Sequence, residues 1–116
     1  MIEQKLQILR ESNVIDDQAV DFANKVIELL SNKGYISEKD QCDAFITHLV
    51  MATSRQKTAE EISPIDDEML SQLKAENCFN EAKKLWEHIE EISPVTFREN
   101  EFGYFYLHLC TLLTNQ

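Results

Sequence analysis

The sequence predicts an all-α fold, and three observations support this prediction. Glycine and proline occur only twice each among the 116 residues, so the residues that most often interrupt helices are scarce. Hydrophobic residues make up 43% of the chain, which is enough to fill the core of one domain of this length. In most segments these residues recur with the helical period. We therefore expect a single all-helical domain over residues 1–116.

Two helices are predicted in the first third of the chain. Residues 1–13 are expected to form a short helix or an N-terminal extension. Asp16 or Asp17 is a suitable N-cap for a second helix that ends near Lys33. Gly34 then follows the helix C-terminus, where glycine is favoured because it readily adopts a left-handed backbone conformation.

The third predicted helix carries the first of two notable histidines. Ser37 is expected to cap this helix, which runs to about Gln56. His48 lies on the flank of its apolar face. The residues that form that face are Cys42, Phe45, Ile46, Leu49, Val50 and Thr53.

A loop and two helices are predicted next. Residues 57–65 are interpreted as a loop, after which Asp66 or Asp67 caps a short helix. A further helix restarts near Asn80 and ends before Pro94, because proline lacks the N–H group that a helix interior requires.

The last predicted helix carries the second notable histidine. It begins near Arg98, runs to about Leu113, and has His108 on the flank of its apolar stripe. Tyr104 lies one helical turn before this histidine, and Glu101 lies two turns before it. The stripe consists of Phe102, Phe105, Tyr106, Leu109, Leu112 and Leu113.

The charge of the chain argues against several classes of partner. The net charge is −10, with 21 acidic residues against 11 basic residues. Such a surface repels nucleic-acid phosphates and anionic membranes, so we expect no direct nucleic-acid or membrane binding. A basic protein surface would be attracted, although a solvated acidic face is the simpler interpretation.

The three cysteines predict neither a metal site nor a secreted protein. Cys42, Cys78 and Cys110 are widely spaced, without a CxxC motif or a Cys/His pair at zinc spacing. Cys42 and Cys110 fall in apolar helical stretches, where cysteine usually acts as a small core residue. The N-terminus lacks the apolar core of a signal peptide. We therefore expect a cytoplasmic protein in a reducing compartment, without a metal or another cofactor.

His48 and His108, each followed by leucine and separated by 60 residues, are the main candidates for function. They could be packing residues, an acid–base pair, or two metal ligands with Glu101 as a third. The chain has no GxSxG motif and no glycine-rich phosphate loop, which weakens the enzyme interpretation. Reversible phosphorylation suits two flanking imidazoles better, and Arg55 lies two turns beyond His48 as a partner for a phosphate. His88 is interpreted as a surface residue.

Two segments carry a resemblance to a known family. Residues 45–55, FITHLVMATSR, and residues 99–109, ENEFGYFYLHL, resemble the two histidine helices of the PTS regulation domain (PRD) of bacterial carbohydrate regulators. The second segment has the pattern Glu-x-Gly-Tyr-x-x-x-His-Leu, which is fairly specific. The resemblance covers roughly residues 15–113, and the separation of 60 residues between the histidines is also similar to that of the family.

The resemblance implies a compact bundle of about five helices that usually forms a homodimer. It also implies phosphorylation of His108 and His48, with Arg55, Glu101 and Tyr104 as supporting residues. The donors would be the phosphocarrier HPr or enzyme II components of the phosphotransferase system. The chain departs from the family in having Thr47 where many members have aspartate before the first histidine.

Family members usually carry a separate nucleic-acid-binding domain, for which this chain has no room. We therefore expect a regulatory module, not an enzyme, that acts through dimerisation or a partner protein. The first alternative is a helical protein-binding module whose histidines are structural. A small enzyme that uses the histidine pair is the less favoured alternative, and His108 is the first candidate for a phosphate acceptor.

Overall fold

Six α-helices and one 3₁₀ turn make up the computed structural model, which describes residues 1–115. The helices are α1 (Ile2–Glu11), α2 (Asp17–Asn32), α3 (Asp43–Arg55), α4 (Asp67–Lys74), α5 (Phe79–Glu91) and α6 (Glu99–Thr114). The 3₁₀ turn spans Lys39–Cys42 and leads into α3. No strand occurs in this range, which confirms the all-α prediction. The expected number of about five helices was too low.

The predicted boundaries of α2 are confirmed. The Asp16 carboxylate accepts a hydrogen bond from the backbone N–H of Ala19 at 2.9 Å, which satisfies one of the free donors at the helix start. Gly34 follows the C-cap residue Lys33 with φ of +81°, in the left-handed region that glycine adopts without a Cβ clash.

The start of α3 differs from the prediction. The α-helix begins at Asp43, so Ser37 is not its N-cap. Instead, the side-chain oxygen of Gln41 accepts hydrogen bonds from the backbone N–H groups of Ser37 at 2.6 Å and Glu38 at 3.0 Å. These local bonds stabilise a separate turn before the helix, an alternative that helical periodicity does not reveal.

The N-terminal helix α1 is anchored to the bundle at its start. Ile2 and Leu6 are buried in the core. The backbone N–H of Ile2 donates a hydrogen bond to the Asp40 carboxylate at 2.9 Å, and Lys5 forms an ion pair with Asp43. These contacts place α1 against the beginning of α3.

An aromatic cluster fixes α6 against α5 and α3. Trp86 of α5 stacks on Phe105 of α6 with ring centroids 4.2 Å apart, and Phe97 lies 5.3 Å from each of these rings. Phe45 of α3 meets Phe105 edge to face at 6.2 Å. Each such pair contributes about 0.5–1.5 kcal/mol beyond the burial of its surface. The C-terminal helix is therefore the central packing element.

The segment between α3 and α4 crosses α6 at Gly103. A Cβ atom added at this glycine would lie 2.2 Å from Cγ2 of Ile65 and 3.0 Å from its Cβ. Ile65 is 7% exposed, so it has little room to retreat. The absence of a side chain at Gly103 therefore permits the close crossing.

The cysteines only partly follow the prediction. Cys42 is buried, as expected, and burial raises the pKa of its thiol to about 11. Cys110 is also buried, but it forms a disulfide with Cys78, with Cα atoms 5.4 Å apart. The expectation of reduced cysteines is therefore wrong for this pair, which ties the start of α5 to α6. Among residues 1–115, no helix is long and apolar enough to cross a lipid bilayer.

Candidate functional site

The packing of α3 against α6 brings the two histidines together. The ring centroids of His48 and His108 are 5.3 Å apart, and the ring planes are inclined by 77°. His48 also packs on Phe105 at 5.0 Å and on Tyr104 at 5.6 Å, whereas His108 lies 6.3 Å from Phe45. Both histidines are half-buried. Residues 60 positions apart in the sequence thus form one paired site.

A buried carboxylate lies beside this pair. Glu101, in the first turn of α6, is 2% exposed. Its Oε2 accepts a hydrogen bond from Nε of Arg55 at 3.0 Å, and its Oε1 accepts one from Nη2 of the same guanidinium at 2.9 Å. Gln56 donates a third hydrogen bond, from Nε2 to Oε2, at 3.1 Å. The end of α3 is thereby joined to the start of α6 by a two-point ion pair.

The guanidinium keeps this carboxylate ionised. Burial by itself raises the pKa of Glu101, but the hydrogen bonds and the charge of Arg55 outweigh burial, so the pKa is lowered. An ionised carboxylate can only accept hydrogen bonds. In every hydrogen bond that the Glu101 carboxylate makes, the neighbouring group is therefore the donor.

One of those neighbours is His48, whose Nε2 lies 3.4 Å from Oε1 of Glu101. Because the carboxylate is an acceptor, Nε2 of His48 carries the hydrogen of this bond. Burial lowers the pKa of His48, and the nearby Glu101 offsets only part of that effect. At neutral pH the ring is therefore neutral, with its hydrogen on Nε2 and its lone pair on Nδ1.

The remaining ring nitrogens have no hydrogen-bond partner in residues 1–115 and are not completely sealed from solvent. Trp86 Nε1 is the one side-chain nitrogen or oxygen in this range that is both sealed from solvent and unpartnered. Nδ1 of His48 and both nitrogens of His108 are therefore not completely sealed from solvent. Burial, together with the charge of His48, lowers the pKa of His108, so this ring is also neutral at neutral pH.

The two rings face different depressions in the surface. His48 lines a depression of about 490 Å³ together with Arg55 and Tyr104, whereas His108 lines another of about 390 Å³ beside Phe45. The acid–base alternative needs one enclosed pocket shared by both rings, which these two depressions do not form. Within the part of the chain that the structure describes, no group of three or more metal-binding side chains comes together.

Comparison with known proteins identifies the domain that carries this site. The family model described as PRD domain matches residues 21–111, which include all of α3, α5 and both histidines. The chain belongs to the PRD family. It is also 25% identical over 99 residues to "Uncharacterized protein YhfY" of Escherichia coli (strain K12), a match that covers 84% of this chain and 77% of that protein. No solved structure matches the chain.

Family membership confirms the resemblance seen in the two histidine segments. In this PRD the first segment forms α3 with His48, and the second forms α6 with His108. The PRD is a regulatory domain, and helix α1 lies outside the matched residues.

The departure at Thr47 has a structural counterpart in this PRD. The Thr47 hydroxyl donates a hydrogen bond to the Asp43 carboxylate at 3.2 Å, one turn earlier in the same helix. The acid that contacts His48 is instead Glu101 on α6. The carboxylate beside His48 therefore comes from α6 and not from the position that precedes His48 in α3.

The predicted supporting residues all lie at the site, and two further residues join them. The Tyr104 hydroxyl donates to the carbonyl of Ser63 at 3.0 Å and so holds the segment after α3. The backbone N–H of Arg98 donates to the side-chain oxygen of Gln56 at 3.0 Å. The Arg98 guanidinium donates to the backbone carbonyl of Arg55, at the end of α3, and to those of Thr58 and Glu60 in the segment that follows.

Sequence reasoning missed Gln56 and Arg98 as parts of the site. Gln56 directly follows Arg55 in the chain and orients Glu101 together with it. Arg98 directly precedes α6 and contacts mainly backbone atoms. The contacts of Gln56 and Arg98 join positions about 40 residues apart, and such contacts leave no mark in a local residue pattern, so no sequence signal pointed to either residue.

Proposed function

We propose that this PRD regulates a carbohydrate phosphotransferase-linked process and is switched by reversible phosphorylation of His108 and His48. The observation that carries the proposal is the pair of neighbouring, half-buried imidazoles at the junction of α3 and α6, whose ring centroids are 5.3 Å apart. The phosphate donors would be phosphorylated HPr or enzyme II components, and the protein would act with them in the cytoplasm. PRD membership supports the regulatory role.

The protonation state of both rings suits nucleophilic attack on phosphorus. An imidazole can attack only through a nitrogen that has a free lone pair. The pKa values of His48 and His108 are both lowered, first of all by burial, so a lone pair is present at neutral pH.

A phosphoryl group at this place would change helix and subunit contacts. It adds a charge of about −1.5 to −2 to a partly buried site, in a chain whose net charge is already −10. The added charge would repel Glu101 and attract the guanidinium of Arg55, which lines the same depression as His48. We propose that this rearrangement is transmitted through a homodimer or a partner protein.

The primary test is phosphoryl transfer in vitro. The full chain is incubated with phosphorylated HPr and with phosphorylated enzyme II components, and acid-labile phosphate is mapped by mass spectrometry. We expect phosphate on His108 and His48, with loss at the substituted position in His108→Gln and His48→Gln. His88→Gln is the matched control, because His88 is exposed on α5 and lies outside the site. Absence of phosphate from both site histidines would refute the proposal.

A second test asks whether a negative charge at the site changes dimerisation. His108→Asp introduces a negative charge at the paired site and is expected to shift the monomer–dimer equilibrium, measured by sedimentation velocity over a concentration series. The neutral variant His108→Asn is the control for loss of the ring. Identical sedimentation of both variants and the unchanged chain would contradict transmission through dimerisation.

One observation favours the alternative that the histidines are structural. His48 is hydrogen-bonded to Glu101 and packs on Phe105, as a core histidine would. If structure is its only role, His48→Gln lowers the free energy of unfolding by about 1 kcal/mol or more and no donor phosphorylates the ring. Whether a donor phosphorylates His48 in the unchanged chain therefore distinguishes a phosphate acceptor from a purely structural histidine.

A further inference from the structure

The hydrogen bond to Glu101 makes the two nitrogens of His48 chemically different. Nε2 lies 3.4 Å from the carboxylate oxygen and carries the ring hydrogen, because Glu101 is ionised and can only accept. Nδ1 has no hydrogen-bond partner in residues 1–115, yet it is not sealed from solvent. Only Nδ1 therefore has a free lone pair.

We propose that His48 is phosphorylated on Nδ1 and that Glu101 is the positioning residue that directs the phosphoryl group to this nitrogen. The inference rests on the proposed function, since it assumes that a phosphohistidine protein delivers phosphate to this site. Beyond the proposed function, the inference names the nitrogen of His48 that reacts and the residue that selects this nitrogen.

The transfer balances without any further group. The lone pair of Nδ1 attacks the phosphorus of the donor phosphohistidine, and a bond forms between Nδ1 and phosphorus. The donor's nitrogen–phosphorus bond breaks, and its electron pair returns to the donor ring. The hydrogen on Nε2 of His48 stays in place, and the positive charge that develops on the ring faces the carboxylate of Glu101.

Reaction at Nε2 would be opposed by the same contacts. That nitrogen would first have to lose its hydrogen, and with it the hydrogen bond to Glu101. The phosphoryl group would then lie against a carboxylate that Arg55 and Gln56 hold in place with three hydrogen bonds. Two like charges at such a separation repel strongly in a partly buried site.

His108 provides an internal comparison. Neither of its ring nitrogens has a hydrogen-bond partner in the part of the chain that the structure describes. No neighbour therefore selects one nitrogen over the other. Strict choice of Nδ1 is expected at His48 and not required at His108.

The first experiment measures the tautomer of His48 in the unphosphorylated chain by 15N NMR. His108→Gln and His88→Gln are combined so that a single ring remains to be assigned. We expect the hydrogen on Nε2 and a lone pair on Nδ1. The opposite tautomer would overturn the inference without any bearing on phosphorylation.

The second experiment identifies the phosphohistidine isomer. The same variant is phosphorylated with phosphorylated HPr or enzyme II components, and the isomer is assigned from 31P and 15N ring spectra. Phosphate on Nδ1 supports the inference. Phosphate on Nε2 overturns it and leaves the proposed function intact, whereas no phosphate on His48 overturns both for this residue.

The role of Glu101 is tested by the isomer ratio, which a merely structural role would not change. In Glu101→Gln, the side-chain amide can donate to Nε2 and release its hydrogen, so we expect a mixture of Nδ1 and Nε2 products. Arg55→Lys disturbs the same ion pair but keeps the carboxylate, and Nδ1 should remain the sole product. An unchanged ratio in Glu101→Gln would remove Glu101 from the positioning role. If that variant does not fold, the first two experiments, which measure the tautomer and the phosphohistidine isomer of His48 in a chain that retains Glu101, still decide the inference.

Discussion

The imidazole ring of His108 meets the ring of His48 edge to face, with centroids 5.3 Å apart. At this separation the charge of one ring is felt by the other, and the charge of His48 is one cause of the lowered pKa of His108, after burial. The two residues therefore form one electrostatic unit. A change at either position, whether a proton or a phosphoryl group, is expected to alter the other.

Coupling between the rings predicts a change in the titration of His108. Replacing His48 by Gln removes a group that becomes positively charged, so the pKa of His108 should rise towards its ordinary value of 6.5. It should remain below that value because burial persists. The pKa can be followed by NMR of the ring protons across the titration. An unchanged pKa in His48→Gln would show that burial alone lowers it.

The lowered pKa values of both histidines predict a dependence of stability on pH. A group whose folded pKa lies below its unfolded value binds protons better in the unfolded chain. Its contribution to stability is complete above the unfolded pKa of about 6.5 and is lost as the pH falls below that value. The free energy of unfolding in urea should therefore decrease from pH 7 to pH 5. This decrease should be smaller in the double variant His48→Gln/His108→Gln and retained in His88→Gln.

The carboxylates whose pKa values are lowered act in a separate range of pH. Lys57 and Lys5 lower the pKa values of Asp16 and Asp43, respectively, so these groups stabilise the fold above their ordinary pKa of 3.8. Their contribution is lost as the pH falls further. A decrease in stability confined to pH values below about 4.5 would thus come from carboxylates and would contradict the assignment to the histidines.

The buried ion pair predicts a large effect of Glu101→Gln on stability. The substitution leaves the Arg55 guanidinium, which is 16% exposed, without a counter-charge. Removing one partner of a buried pair costs about 3–5 kcal/mol, and the residual exposure of Arg55 reduces this to about 2–3 kcal/mol. Urea denaturation measures the difference. Glu99→Gln, at an exposed position in the same helical turn, is the matched control and should change stability by less than about 1 kcal/mol.

The close crossing at Gly103 predicts a substitution whose effect depends on Ile65. Gly103→Ala should gain about 1 kcal/mol in helix propensity but lose more by overpacking, because the new Cβ would lie 2.2 Å from Cγ2 of Ile65. We expect a net loss of about 1–2 kcal/mol. In an Ile65→Ala background the clash is largely removed, so Gly103→Ala should be nearly neutral. Equal losses in the two backgrounds would show that the crossing is not the cause.

The disulfide predicts a stability that depends on redox conditions. The linked residues Cys78 and Cys110 are 32 positions apart, and closing a loop of this length stabilises a fold by about 3–4 kcal/mol in the chain-entropy model. Unfolding in urea with and without dithiothreitol measures the effect. Cys78→Ala should abolish the response to the reductant, whereas Cys42→Ala should retain it. Equal stability under both conditions in the unchanged chain would mean that the bond adds nothing.

Local signals in the sequence were sufficient for most of the secondary structure. The caps and ends of α2 were predicted at Asp16 and Gly34, because both depend on hydrogen bonds and backbone angles within a few residues. The start of α3 was placed too early, since the side chain of Gln41 competes for the backbone N–H groups of residues 37 and 38. The disulfide was missed because pairing of cysteines depends on where α5 and α6 meet.

The sequence by itself determined the helical class, the PRD resemblance and the identity of His48 and His108 as the residues to study, because periodicity and short motifs are properties of neighbouring residues. Only the tertiary structure decided that the two rings touch and that Glu101, paired with Arg55, contacts Nε2 of His48. These relations join positions more than 40 residues apart. They arise when the apolar faces of α3 and α6 are buried against each other, which a linear pattern cannot specify.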